Sequence, residues 1–294
     1  MKEYILSCGS TVDLTEERLA KIGVPYISYK YFVDGEEYDD NFGKSMSYKD
    51  FYNKMRQGAD TKTTQINSLE YIDYFKKFLE QGKDVLHIEM SSGISGSYNS
   101  ALIAQKELQT RFPNQKLVII DSLCISSGYG MLVETLAEYK AQGMSFDDLA
   151  KKAEELKLKV IHLCTASDLT HFVKGGRISK TAGIFGSILK ICPFIKTDEN
   201  GALLVVKKIP GKNRVVDEIV RQMERRVDDG LEYNGKCYIC NGDCIEDAQT
   251  LKRAIDARFV NLKGKIEIFN IGTTIGSHTG PSTFAVFFFG HDNT

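Results

Sequence analysis

Asp84-Val85-Leu86-His87-Ile88-Glu89-Met90-Ser91-Ser92-Gly93-Ile94-Ser95-Gly96-Ser97-Tyr98 reads as a buried strand, a polar turn and the start of a helix that runs over 96–111. Four serines and two glycines fall between residues 91 and 97, in the turn. Glycines let the backbone come close to a ligand, and hydroxyls beside the free N–H groups of a helix start form a cradle for an anion. The turn holds no Lys or Arg. Such a cradle suits a carboxylate better than a polyphosphate.

Working outward, strands are predicted at 3–6, 26–33 and 116–120, and helices at 14–22, 48–57, 68–81, 127–141 and 146–158. Asp13 and Glu16 read as the first helix start. Asn67 with Glu70, and Ser145 with Asp148, have capping spacing. Leu69, Ile72, Phe75 and Leu79 form one apolar helix face. Strands alternating with helices predict crossover units and a mostly parallel sheet, with ligands beyond the carboxyl ends of its strands. The second half differs. Strands are predicted at 160–164, 194–197, 203–207, 236–240, 265–271 and 284–289, and helices at 212–228 and 245–259. Asn200-Gly201 marks a hairpin. The fold class is α/β in two domains, 1–159 and 160–294, packed tightly because no Pro- or Ser-rich linker separates them.

At 294 residues, 42% apolar and 26% charged, the composition is that of a globular chain. A net charge of -1 argues against nucleic acid as a standing partner. The longest apolar stretch, 183–195, contains Lys190 and Pro193 and is too short to cross a bilayer. The start of the chain does not resemble a signal peptide, and seven cysteines are an odd number. Both point to a cytoplasmic protein.

Three further polar loops stand out: Ser7-Cys8-Gly9-Ser10-Thr11, Thr61-Lys62-Thr63-Thr64-Gln65, and the run from Gly272 to Pro281 that carries His278. His87 and His162 lie in apolar strands and read as satisfied core residues. Cys237 and Cys240 fall on opposite faces of one strand, so they read as buried thiols and not as a metal pair. Dinucleotide, P-loop, zincin and complete nucleophile-elbow motifs are absent. One catalytic alternative stays open, a serine hydrolase of acyl esters built on Ser95, His278 and Asp121.

Five motifs, in order along nearly the whole chain, resemble those of the DegV family of bacterial fatty-acid-binding proteins. They are Gly9-Ser10-Thr11, Thr63-Thr64-Gln65, Ser91-Ser92-Gly93-Ile94-Ser95-Gly96-Ser97, Gly175-Gly176-Arg177-Ile178-Ser179, and Ile275-Gly276-Ser277-His278-Thr279-Gly280-Pro281-Ser282. The resemblance implies the two-domain DegV-type fold around a lipid tunnel. It implies a carrier subunit, not itself an enzyme, that needs no cofactor or metal. Such a carrier presents a long-chain fatty acid to a fatty acid kinase catalytic subunit, which feeds phospholipid synthesis, and it makes transient membrane contact. Thr63, Ser95, Gly96 and His278 would hold the carboxylate, and Arg177 would meet the kinase. Ile94, Ile184, Phe185, Ile188 and Leu189 would line the tunnel. Gly9 departs from the family's Asp, Pro210 from its Arg, Ser97 from its Thr and Ser282 from its Gly.

Overall fold

The computed structural model describes residues 3–167, 169–179 and 191–291. In the first half the chain runs β1 (Tyr4–Gly9), α1 (Glu16–Lys21), β2 (Tyr26–Ile27), β3 (Lys30–Val33), β4 (Glu36–Asp39), α2 (Tyr48–Arg56), β5 (Thr61–Thr64), α3 (Ser68–Leu79), β6 (Asp84–Glu89), α4 (Ser97–Arg111), β7 (Leu117–Asp121), α5 (Ser126–Ala141) and α6 (Phe146–Lys157). The second half runs β8 (Val160–Thr165), α7 (Thr170–Lys174), β9 (Ile191–Thr197), β10 (Leu203–Pro210), α8 (Lys212–Arg226), β11 (Cys237–Asn241), α9 (Ile245–Arg258), β12 (Glu267–Asn270), α10 (Thr273–Thr279) and β13 (Phe284–Phe289).

A parallel sheet of order β2-β1-β6-β7 forms the first half, with Tyr4 opposite Asp84 and Val85 opposite Leu117. Every residue of β6 is buried, as a strand covered on both faces requires. The second half carries a mixed sheet of order β10-β9-β8-β13-β11-β12. Its two faces serve two cores. Tyr238, Cys240, Ala285 and Phe287 pack with the first-half core, while Cys237, Ile239, Val286 and Phe288 pack with α8 and α9. The period-2 reading of the two cysteines is therefore what the sheet uses. Helix α5 is buried along most of its length, from Ser126 through Leu136, and packs against β8, β11 and β13. The halves share a core instead of meeting at a wet seam.

Local sequence explains most boundaries. Asn67 and Glu70 form the anticipated capping box, and Ser145 caps α6. Asp198 to Gly201 turns the β9–β10 hairpin. Four readings are corrected. Thr15, not Asp13, caps α1; Asp13 takes a left-handed backbone and is buried, accepting from Gly272 N and Ser126 Oγ. Leu69 is 70% exposed, and Tyr71 and Tyr74 complete the buried face of α3 instead. The strand predicted at 26–33 breaks at Tyr29, whose N–H goes to Ser10 Oγ. Beyond the break, β3 leaves the parallel sheet and joins an antiparallel one of order β4-β3-β5. Its β3–β4 turn is Asp34-Gly35, both at positive φ, a hairpin signal legible in the sequence. Finally, the loop carrying His278 is helical. Gly, Ser and Thr are weak helix formers, so α10 depends on its surroundings. Asp13 takes its Gly272 N–H, Asp40 takes the Thr273 hydroxyl, and α2 and α7 pack against it.

Candidate functional site

Beyond the carboxyl ends of β1 and β6 the halves enclose a cavity of about 240 Å³. Strand β5 contributes Thr63, the serine-glycine turn contributes Ile94, Ser95 and Gly96, and the second half contributes Arg177 and His278. Apolar wall comes from Met90, Ile125, Phe172, Leu203 and Ile275. Thr64, Gln65, Thr274 and Thr279 also line it, so its wall is mixed in polarity, and its volume falls just below the roughly 300–1,000 Å³ usual for small-molecule pockets.

Each polar group is aimed by a named contact. Ser95 Oγ accepts the Ser97 N–H at 3.2 Å and donates to Ser97 Oγ at 3.1 Å. Gly96 is the N-cap of α4. The turn itself is tied to the second half, because Ser91 Oγ donates to Gly201 O at 2.9 Å. Arg177 donates from Nε to Ile94 O at 3.1 Å and from its guanidinium to Gly175 O. Gly175 stands so close to His278 that a Cβ there would collide with Nδ1.

His278 sets the direction of the donors. Burial, then the Arg177 charge, pulls its pKa from 6.5 down to about 4, so the ring is neutral at pH 7. Arg177 Nη1 faces Nδ1 at 3.4 Å and can only donate. Nδ1 is therefore the acceptor, and Nε2 carries the proton. Nε2–H then donates to Thr63 Oγ1 at 2.7 Å, which turns the threonine's own proton toward the cavity. Arg177, His278 and Thr63 form a one-way chain of donors.

Tyr29 also lines the cavity. Its hydroxyl donates to Glu89 Oε1 at 2.6 Å. Glu89 is fully buried and also accepts from Met90 N at 3.0 Å, from His87 Nε2 at 2.9 Å and from the Tyr71 hydroxyl. Gly9 makes room for this group: a Cβ there would lie 3.0 Å from Tyr29 Cε2 and 3.8 Å from Glu89 Oε1. An Asp at that position, as the motif resemblance leads one to expect, would crowd the ring and face the carboxylate.

Thr63, Ser95, Gly96, His278 and Ile94 thus lie around one cavity, and Arg177 joins them. The turn read alone as lacking a cation is completed by one 82 residues further along the chain, brought there by the short α7. Ile184, Phe185, Ile188 and Leu189 lie outside the described residues. Of the first polar loop, Ser10 and Thr11 are buried and do not line the cavity. Tyr29, Phe172 and Leu203 were not foreseen. Tyr29 sits in a strand pattern with no local sign of a site.

The hydrolase relay is not what the side chains make. Asp121 accepts from the Ser92 and Leu123 N–H groups, and His278 Nδ1 faces a guanidinium where an acid would be needed. His87 and His162 are satisfied in the core, the latter taking the Ile125 N–H. The seven cysteines are unpaired, and burial raises the thiol pKa of both Cys237 and Cys240. Among the described residues no three His, Cys, Asp or Glu side chains gather as a metal site, and no helix is long and apolar enough to cross a membrane.

Residues 8–291 match a family model described as "Uncharacterised protein, DegV family". A DegV domain-containing protein of Clostridium perfringens is 35% identical over 290 residues, covering 99% of this chain and 98% of that one. Among solved structures, a stearic acid-binding protein of Eubacterium ventriosum is similar at a TM-score of 0.84 and 24% identity, covering 97% of this chain and 98% of that chain. A fatty acid binding DegV family protein of Streptococcus agalactiae is similar at 0.84 and 23%, covering 99% and 100%.

Proposed function

The chain belongs to the DegV family, and from that premise we propose that it is a carrier of a long-chain fatty acid. The carrying observation is the cavity between the two halves, where Thr63, Ser95, Arg177 and His278 share the lining with Met90, Ile94, Ile125, Phe172, Leu203 and Ile275. Fatty acid binding by two structurally similar proteins supports the same reading. An acyl chain gains about 0.8 kcal/mol per buried methylene, so a long chain supplies on the order of 10 kcal/mol before the costs of association. The carboxylate adds orientation. It sheds water on entry and needs replacement partners. Thr63 offers its hydroxyl, Ser95 turns to the ligand the proton it otherwise gives to Ser97 Oγ, the Gly96 N–H stands at the start of α4, and Arg177 supplies charge.

In this reading the two units divide at 159/160. The carrier works in the cytoplasm, touches the membrane transiently, and hands the carboxylate to a fatty acid kinase at the Arg177 rim. It contributes no catalytic residue of its own and requires no cofactor. Native mass spectrometry of the purified protein tests the carrier reading. The expected result is a stoichiometric adduct with the mass of a fatty acid, or its uptake on addition. Absence of both refutes it.

A further inference from the structure

Arg177 and His278 meet beside a residue that carries no side chain. Gly175 closes α7 with an ordinary right-handed backbone, φ -74° and ψ -10°, and its N–H goes to His171 O at 2.9 Å. Any L residue adopts that conformation, so backbone freedom gives no reason for a glycine there. Space does. A Cβ on Gly175 would stand 2.3 Å from His278 Nδ1 and 3.2 Å from its Cγ, and the other close atom, His171 O at 3.1 Å, belongs to the last turn of α7 itself. Gly176 is the reverse case. Its φ is +72°, and a Cβ there would meet nothing within 4 Å. Of the two glycines ahead of Arg177, Gly176 turns the chain and Gly175 makes room.

The room is reciprocal. Just past α10, a Cβ on Gly280 would stand 2.3 Å from His171 Cδ2. Each of these two packed helices thus ends on a glycine that receives the other's imidazole. Gly175 also accepts from the Arg177 guanidinium through its carbonyl. One residue therefore seats the His278 ring and anchors the cation beside it, with Arg177 Nη1 3.4 Å from Nδ1 and Thr63 Oγ1 2.7 Å from Nε2. A methyl at 175 would drive Nδ1 back by about 1 Å to reach van der Waals contact, and a ring moved that far gives up one of its two partners. We infer that Gly175 is a positioning residue for the ligand head group: its missing side chain seats His278, and through that ring it aims the Thr63 hydroxyl into the cavity. This rests on the fatty-acid reading and deepens it.

The test is a double-mutant cycle on the full chain: wild type, Gly175→Ala, His278→Ala and the two together, each titrated calorimetrically with hexadecanoic acid. Gly175→Ala is expected to weaken binding about tenfold. In the His278→Ala background the same change is expected to cost nothing, because the ring it displaces is gone. A glycine kept only for the fold would cost as much in both backgrounds. That result, or an unchanged affinity in Gly175→Ala, overturns the proposal. If Gly175→Ala alone does not fold, recovery of the fold in the double variant supports the clash, and failure of both overturns it. A second measurement needs no ligand. The carbon-bound ring protons of His278, identified by NMR from their loss in His278→Ala, should titrate at about 4 in the wild type and toward 6.5 in Gly175→Ala, where the ring leaves its buried seat. An unmoved midpoint overturns the seating of the ring. A wild type that takes up no hexadecanoic acid overturns the carrier reading and the ligand role with it, while a moved midpoint in the same preparation leaves the seat standing. Wild-type uptake with flat affinity and an unmoved midpoint in Gly175→Ala overturns this inference alone.

Discussion

His87 and His278 each bridge a hydroxyl and an ion. In the core, Ser7 Oγ lies 2.9 Å from Nδ1 of His87, and Nε2 lies 2.9 Å from the Glu89 carboxylate. At the cavity, Arg177 faces Nδ1 of His278, and Nε2 meets Thr63. The trios look alike and run in opposite senses. A carboxylate needs protons, so the His87 trio points its hydroxyl proton inward and closes on itself. A guanidinium supplies protons, so the His278 trio pushes its hydroxyl proton outward and leaves it for a ligand. The sign of the ion at the end of the chain decides whether a Ser/Thr–His pair is a piece of core or a piece of a site.

The contrast can be broken most directly at its closed end. Glu89→Ala strands four buried donors and is expected to cost about 3–5 kcal/mol of stability in urea unfolding. A loss under about 1 kcal/mol would show that the core trio is not closed at all. At the open end the loss should appear in binding. Thr63→Val and Ser95→Ala are each expected to weaken fatty-acid affinity by about 1–3 kcal/mol while costing only about 1 kcal/mol of stability, from the lost His278 and Ser97 N–H contacts. Equal losses of stability at both ends would erase the distinction.

A third contrast is in pH. His278 is neutral in the folded chain down to about 4 because of burial and Arg177, and His162 does the same because of burial. Unfolded, both take protons near 6.5. Their stabilising contributions are therefore complete above about 6.5 and are lost as pH falls toward about 4. Each group adds at most about 1.4 kcal/mol per pH unit to that slope. Ligand-free His278→Gln should keep the His162 part and lose the other, giving a shallower acid limb in thermal melts. An acid limb identical to the wild type would mean that His278 takes up its proton alike in the folded and unfolded chain.

Much of this was legible. The buried run Asp84–Glu89 ahead of a Ser/Gly turn specified a parallel strand and a site at its carboxyl end, because strand period and turn chemistry are local properties. Capping at Asn67 and Ser145 is equally local. Thr61–Thr64 was missed as a strand because its polar side chains hide the pattern, although threonine suits a strand. Its pairing with β3, Tyr31 opposite Thr63, is a long-range event. Helix α10 was read as a loop because its own residues disfavour a helix. The distant Asp13 and Asp40 hold its first turn.

The order of apolar runs, caps and glycine turns along the chain determined the elements, the parallel first sheet and the hydroxyls of the site, since each depends on residues within one or two turns of its neighbours. Which hydroxyl faces a cation and which a carboxylate was decided only when the chain closed, by Ser7 meeting His87 80 positions away and Thr63 meeting His278 215 positions away. Hydrogen-bond direction is a property of the whole connected network, and a network of that kind exists only in three dimensions.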